Sequence, residues 1–131
     1  MKDHLKDAFR DDVQVADVCN VLCENASLPG MWSAAHGPTE KAERLLASDC
    51  AGLSAGQRVA FLSAWELWDE DRVDANSGAL RPYAKTLRLG YMVRALTGKF
   101  LVPLATLLVA MAGGPDAVDG WLNRSRPPYP R

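Results

Sequence analysis

Apolar residues recur along this chain at intervals of three and four, the period expected of helices that are buried on one side. The first such segment covers residues 13–25. Either Asp11 or Asp12 can cap it, because an aspartate side chain accepts hydrogen bonds from the free amides of a first turn. Its apolar face contains Val15, Val18, Cys19 and Leu22. We therefore predict an amphipathic helix here.

Two further helices are predicted before the middle of the chain. Gly37-Pro38 indicates the start of one of them, because proline is tolerated in the first turn of a helix; residues 31–36 in front of it remain unassigned. Ser54 and Gln57 match a capping box, in which each side chain pairs with a free amide at the helix start. This motif predicts a helix over residues 55–68.

The second half of the chain contains three more helical patterns. Pro82 fits the first turn of a helix running to about Leu96, with an apolar face at Leu80, Ala84, Leu87 and Tyr91. A buried helix follows over residues 100–112, and the Gly113-Gly114-Pro115 stretch ends it. A short last helix over residues 116–122 is expected to dock Trp121.

These patterns together predict an all-α fold, a compact single domain of five or six short helices. The domain is expected over residues 1–123, followed by a Pro/Arg-rich tail over 124–131. The helices at 55–68 and 100–112 are expected at its centre. The predicted core residues are Leu62, Trp65, Trp68, Leu104, Leu107 and Leu108.

The composition is that of a globular protein, with 131 residues, 48% of them apolar and 24% charged. We expect no secretory signal, because no apolar stretch follows the charged start of the chain. The longest apolar run, residues 100–112, is shorter than the roughly 20 residues that span a bilayer. We therefore expect a cytoplasmic protein that does not associate with a membrane. The absence of isoleucine suggests a GC-rich bacterial or phage genome.

Charge is divided unevenly between the two halves of the chain. Residues 1–77 carry 14 acidic and 7 basic side chains, whereas residues 78–131 carry 2 acidic and 8 basic ones. On the helix predicted there, Lys85 and Arg88 lie within about 40° of Arg81 around the helix axis, and the three form a basic ridge. The candidate partner-binding residues are Arg81, Lys85, Arg88, Arg94 and Lys99.

The basic ridge has several interpretations that the sequence leaves open. It is compatible with binding an acidic protein, including the acidic half of a second copy, or with pairing to the acidic loop at 69–74. It is also compatible with binding nucleic-acid phosphates, although the sequence pI of 6.1 is below that of many nucleic-acid binders. It can also be an ordinary soluble helix face.

Few residues are candidates for metal binding or catalysis. Cys19, Cys23, His36 and Cys50 are the only residues that suggest a zinc or thiol site, and their spacing does not match that of zinc motifs. A buried reduced cysteine serves equally well as a small apolar residue. No phosphate-binding loop and no nucleophile elbow is present in the sequence. We therefore predict no metal, no cofactor and no enzymatic activity.

The functional prediction follows from the uneven charge and from the lack of a catalytic motif. We expect a non-enzymatic protein-interaction domain, an adaptor, accessory subunit or small inhibitor, that binds a protein partner or associates with itself through its acidic and basic halves. The alternative is a nucleic-acid-binding helical domain that uses the ridge at 81–88. A metal- or thiol-dependent protein is the third hypothesis.

Overall fold

A computed structural model of the protein describes residues 8–69, 92, 94–96 and 98–127. These residues form five helices and one small antiparallel sheet, which confirms the predicted all-α class. The elements are, in chain order, α1 (Asp12–Asn25), β1 (Trp32–Ser33), β2 (Gly37–Pro38), α2 (Glu40–Ala47), α3 (Ala55–Asp69), α4 (Gly98–Ala112) and α5 (Pro115–Ser125).

Helix α1 begins and ends with capping contacts that its sequence encodes. Asp11 is the N-cap, and its carboxylate accepts a hydrogen bond of 2.9 Å from the backbone N–H of Gln14. At the other end Ser27 has a φ of 64°, and the N–H of Leu28 donates to the carbonyl of Cys23 at 2.8 Å. This is the Schellman arrangement that commonly ends helices. The predicted apolar face of α1 is buried.

The start of α2 differs from its prediction. Gly37 and Pro38 do not begin the helix, because they form β2 and pair with β1. Gly37 has a φ of 79°, which a right-handed helix does not accommodate. The helix is capped instead by Thr39, whose hydroxyl accepts from the N–H of Ala42 at 3.4 Å. The predicted Pro38 start was therefore wrong.

Helix α3 has the capping box that the sequence predicted. The N–H of Ser54 donates to the Gln57 side chain at 3.0 Å, and the N–H of Gln57 donates to the Ser54 hydroxyl at 3.2 Å. Further along α3, Phe61 and Trp65 pack with Trp32 of β1, with ring centroids 5.4 to 6.1 Å apart. The small sheet is thereby held against the middle of α3.

The last two helices form an antiparallel pair joined by a tight turn. Helix α4 begins at Gly98, so that Pro103 lies inside the helix and not in its first turn. Trp121 of α5 is fully buried, as predicted, and its indole N–H lies 3.1 Å from the Pro103 carbonyl and 3.0 Å from the Thr106 hydroxyl. Helix α5 continues to Ser125, past the start predicted for the tail. Residues 128–131 lie outside the described residues.

The core is centred on α1 and α3, eight residues of each being buried. Helix α4 was predicted at this centre, but it lies at the side and is buried on one face only. The predicted core residues Leu62, Trp65, Leu104 and Leu107 are buried, and Trp68 is half-buried. The prediction for Leu108 was wrong: this side chain is exposed, because it points away from the face that carries Leu104 and Leu107.

Candidate interaction surface

The outward side of α4 is a continuous apolar surface. Its exposed fractions are 41% at Leu101, 58% at Val102, 59% at Leu108 and 75% at Val109. Ala105 and Ala112, on the same side of the helix, are also exposed. At 100° per residue these positions share one side of the helix. We call the six residues the α4 face.

Helix α4 is apolar on both sides, which explains this surface. Its inner side, with Leu104, Leu107 and Ala110, is buried in the domain. A helix that is apolar all round needs cover on all sides, and no described element covers the outer one. We estimate the exposed apolar area at about 400 Å², in the range of the largest patch on a typical monomer, a patch that often has a function.

A groove between α4 and α5 adjoins the α4 face. Its volume is about 490 Å³, and Val109 contributes to both the groove and the face. Small side chains, Ala110 and Ala117, form part of the groove together with Gly120. Small residues allow the backbone of a partner to approach closely, as they do between packed helices. The groove therefore connects the apolar surface to the charged residues Asp116 and Arg124 of α5.

Charged residues of both signs border the groove beside the α4 face. The Arg124 side chain lies close to Gly120, and Arg124 lines the groove together with Asp116 and Val109. Asp116, whose side chain is fully exposed, also forms an ion pair with Arg10 at 3.1 Å. The α4 face is therefore apolar and has a charged border on its α5 side.

A polar cluster fixes α5 to the start of α1. The buried Gln14 side chain accepts from the N–H of Arg10 at 2.7 Å and donates to the Pro115 carbonyl and to Asp119 Oδ1, both at 2.9 Å. The Arg10 guanidinium donates to Asp119 Oδ2 at 2.8 Å. The hydrogen bonds from Arg10 and then Gln14 lower the pKa of Asp119. This cluster positions the α5 side of the groove.

Replacing Asp119 with asparagine is expected to make the free energy of unfolding fall less steeply as the pH is lowered. A carboxyl whose pKa is lowered in the folded state stabilises the fold above its unfolded pKa, and this contribution is lost as the pH falls through the folded pKa. Denaturant unfolding of wild type and Asp119→Asn between neutral and acid pH measures the difference. Glu43→Gln, at an exposed position of α2, is the control. In this variant the free energy of unfolding is expected to change with pH as it does in the wild type. An Asp119→Asn variant with the wild-type slope would contradict this account.

The residues predicted to bind a partner are only partly within the described structure. Arg81, Lys85 and Arg88 lie outside the described residues, so that the basic ridge stays a prediction. Arg94 is exposed, and Lys99 lies in the first turn of α4. Of the five predicted residues, these two lie within the described part of the chain.

The residues considered for a metal or thiol site do not form one site. Cys19, Cys23 and Cys50 are buried, and His36 is exposed in the turn between β1 and β2. In the ranges that the structure describes, no three His, Cys, Asp or Glu side chains are grouped so as to hold a metal ion. Burial raises the pKa of Cys23 and of Cys50. A raised thiol pKa leaves less of the thiolate, which is the nucleophilic form.

The α4 face was missed by sequence reasoning, although the sequence contains a signal for it. Helix α4 has 15 residues, among which Lys99 is the only charged residue and Thr106 the only other one with a strong hydrogen-bonding group in its side chain. This pattern predicts a buried helix. In a domain of this size, a helix without a polar side is also the signature of a surface that binds another chain.

The fold and the surface together define a small, mostly helical domain with one uncharged, outward helix face. Among the described helices none is long and apolar enough to cross a membrane. The chain matches no known protein family, no curated protein and no solved structure. Its function must therefore be argued from this surface.

Proposed function

We propose that this chain is a cytoplasmic, non-enzymatic protein-interaction domain that binds a protein partner through the α4 face. The observation that carries the proposal is the exposure of Leu108 and Val109 in the middle of an uncharged helix side. Contiguous apolar patches of this size on soluble domains often mark sites of protein association.

The layout of the surface resembles a protein interface more than any other binding site. Its centre is apolar, and the charged residues Asp116 and Arg124 line the groove beside it. Protein interfaces commonly have a core depleted of charge and a polar rim. Burying about 400 Å² of apolar surface gives on the order of 10 kcal/mol, enough to offset much of the cost of association.

The α4 face does not support nucleic-acid binding, the alternative predicted from the sequence. Affinity for nucleic acid depends mainly on cations placed against phosphates, and the six residues of the face are all apolar. That alternative depends on Arg81, Lys85 and Arg88, and it stays a sequence prediction.

A photo-crosslinking amino acid at position 109 tests the proposal. Placed there in the full chain, in cells of the source organism, it is expected to form an intermolecular adduct with another protein chain, because the site is 75% exposed within the surface. The matched control is position 13. Val13 is also apolar and is 50% exposed, but it lies on α1. Adduct at position 109 and none at position 13 is the expected result.

A second variant tests whether formation of the adduct depends on the apolar character of the surface. With the crosslinker at position 101, Val109→Glu is expected to reduce the intermolecular adduct at least tenfold, because a charge resists transfer out of water into an apolar interface. Unchanged circular dichroism verifies that the variant folds. If position 109 gives no intermolecular adduct, or if Val109→Glu leaves the adduct at position 101 unchanged, the proposal is wrong.

A further inference from the structure

We infer that the protein partner presents a carboxylate beside its apolar contact residues, and that Arg124 binds this carboxylate in the groove between α4 and α5. The inference rests on the proposed function and adds the chemistry of the partner, an acidic side chain at the edge of an apolar surface. Three features carry it: the place of the Arg124 guanidinium, the ion pairs around it, and the continuity of the groove with the α4 face.

The guanidinium of Arg124 lies within the groove. A Cβ atom built on Gly120 would lie 3.0 Å from Nη1 and 3.9 Å from Cζ of Arg124, so that this side chain lies back over the preceding turn of α5. Gly120 itself lines the groove, whose volume is about 490 Å³. The missing side chain at position 120 therefore leaves the space that the cation occupies against the groove wall.

The acidic residues of α5 are paired with Arg10 and not with Arg124. Asp116, which also lines the groove, lies 3.1 Å from the Arg10 guanidinium, and Asp119 lies 2.8 Å from it. Within the described ranges, no carboxylate forms an ion pair with Arg124. The N–H donors of this guanidinium therefore remain available to a carboxylate that another chain supplies.

The surroundings of Arg124 determine what kind of partner can cover it. Val109, Ala110 and Ala117 line the same groove and are apolar. A partner that covered the groove with apolar groups alone would take water from the guanidinium without replacing its hydrogen bonds, which costs free energy. A carboxylate replaces them with two parallel, charge-assisted hydrogen bonds. The groove is therefore complementary to an acidic side chain with apolar neighbours.

The groove and the α4 face are continuous, because Val109 belongs to both. A partner that covers the middle of the face therefore reaches the groove as well. Arginine is enriched in protein interfaces and at the positions that contribute most to binding. We expect the ion pair with Arg124 to fix the orientation of the partner, while the apolar face supplies most of the buried area.

A charge reversal tests the inference in the full chain, with the photo-crosslinking amino acid at position 101, outside the groove lining. Arg124→Glu is expected to lower the intermolecular adduct at least about tenfold, because it sets a carboxylate against that of the partner. Arg126→Glu is the matched control, since Arg126 is also exposed but does not line the groove. An unchanged adduct with Arg124→Glu, or equal losses in the two variants, overturns the inference.

A coupling reagent tests for the carboxylate directly. The protein recovered in the adduct at position 109 is purified and mixed with the full chain carrying Arg124→Lys, and a water-soluble carbodiimide is added. The reagent activates a carboxylate, and the amine at position 124 attacks it, forming an amide bond and releasing the reagent as a urea. We expect an amide to an aspartate or glutamate of the partner, identified by mass spectrometry. Arg126→Lys is expected to give none.

The coupling product also tests the nearest competing carboxylate. If position 124 couples only to Asp116 of its own chain, or to nothing, the inference is overturned. The proposed function fails separately: without an intermolecular adduct at position 109, both proposals are wrong. An adduct at position 109, together with an adduct at position 101 that does not respond to Arg124→Glu, overturns the inference alone and leaves the proposed function standing.

Discussion

Replacing Trp121 with alanine is expected to lower the free energy of unfolding by about 3–5 kcal/mol. Trp121 is fully buried, and it joins α5 to α4. Its removal leaves a cavity between the two helices, and it takes away the indole donor that contacts the Pro103 carbonyl and the Thr106 hydroxyl. Chemical denaturation followed by far-ultraviolet circular dichroism measures the loss.

A conservative variant separates packing from hydrogen bonding at this position. Trp121→Phe retains an aromatic ring but has no indole N–H. We expect it to lose about 1–3 kcal/mol, because it removes the indole hydrogen bond and fills the buried space less completely. If Trp121→Ala costs less than about 1 kcal/mol, a value typical of surface positions, α5 does not dock on α4 through this side chain.

Replacing Gly37 with alanine is expected to destabilise the protein by about 2–4 kcal/mol, the sum of backbone strain and overpacking. Gly37 has a φ of 79°, a region that residues with a side chain rarely adopt. A Cβ atom at this position would also overlap the indole ring of Trp68 at the end of α3. The glycine is thus required both by the turn and by the close approach of the hairpin to α3.

Gly30 is the matched control for Gly37. It has nearly the same backbone conformation, with a φ of 75°, but no atom lies within 4 Å of a Cβ built there. Gly30→Ala is expected to cost about 1–2 kcal/mol, which is the backbone strain alone. The difference between the two unfolding free energies measures the Trp68 contact. Equal losses would show that the Trp68 indole ring does not lie against Gly37.

Local signals predicted much of the fold because the physics of a helix terminus is local. The Asp11 cap and the Ser54–Gln57 box each involve residues three positions apart. The box forms as predicted, and of the two predicted cap candidates, Asp11 and Asp12, Asp11 is the cap. The helix start predicted at Gly37-Pro38 was wrong because the conformation of these two residues depends on their pairing with β1. Proline at a helix start and proline in a short strand look the same in sequence until the partner strand is known.

The candidate surface was harder to predict because it depends on which side of α4 the rest of the chain covers. Leu107 and Leu108 are identical in kind and adjacent in sequence, yet one is buried and the other exposed. When both sides of a helix are apolar, the spacing of apolar residues in the sequence cannot show which side is buried. The contact of Arg10 with Asp119, 109 residues apart, likewise has no local signature.

The three buried thiols give this chain built-in reporters of its own motions. A thiol reagent reacts only when solvent reaches the sulfur. The labelling rate of each cysteine therefore reports how often the residues packed around it move apart. Cys19 and Cys23 belong to the central helix α1, whereas Cys50 lies in the turn after α2, where its backbone φ is 55°. Timed alkylation, without any introduced cysteine, therefore distinguishes local opening at the end of α2 from opening of the α1–α3 core.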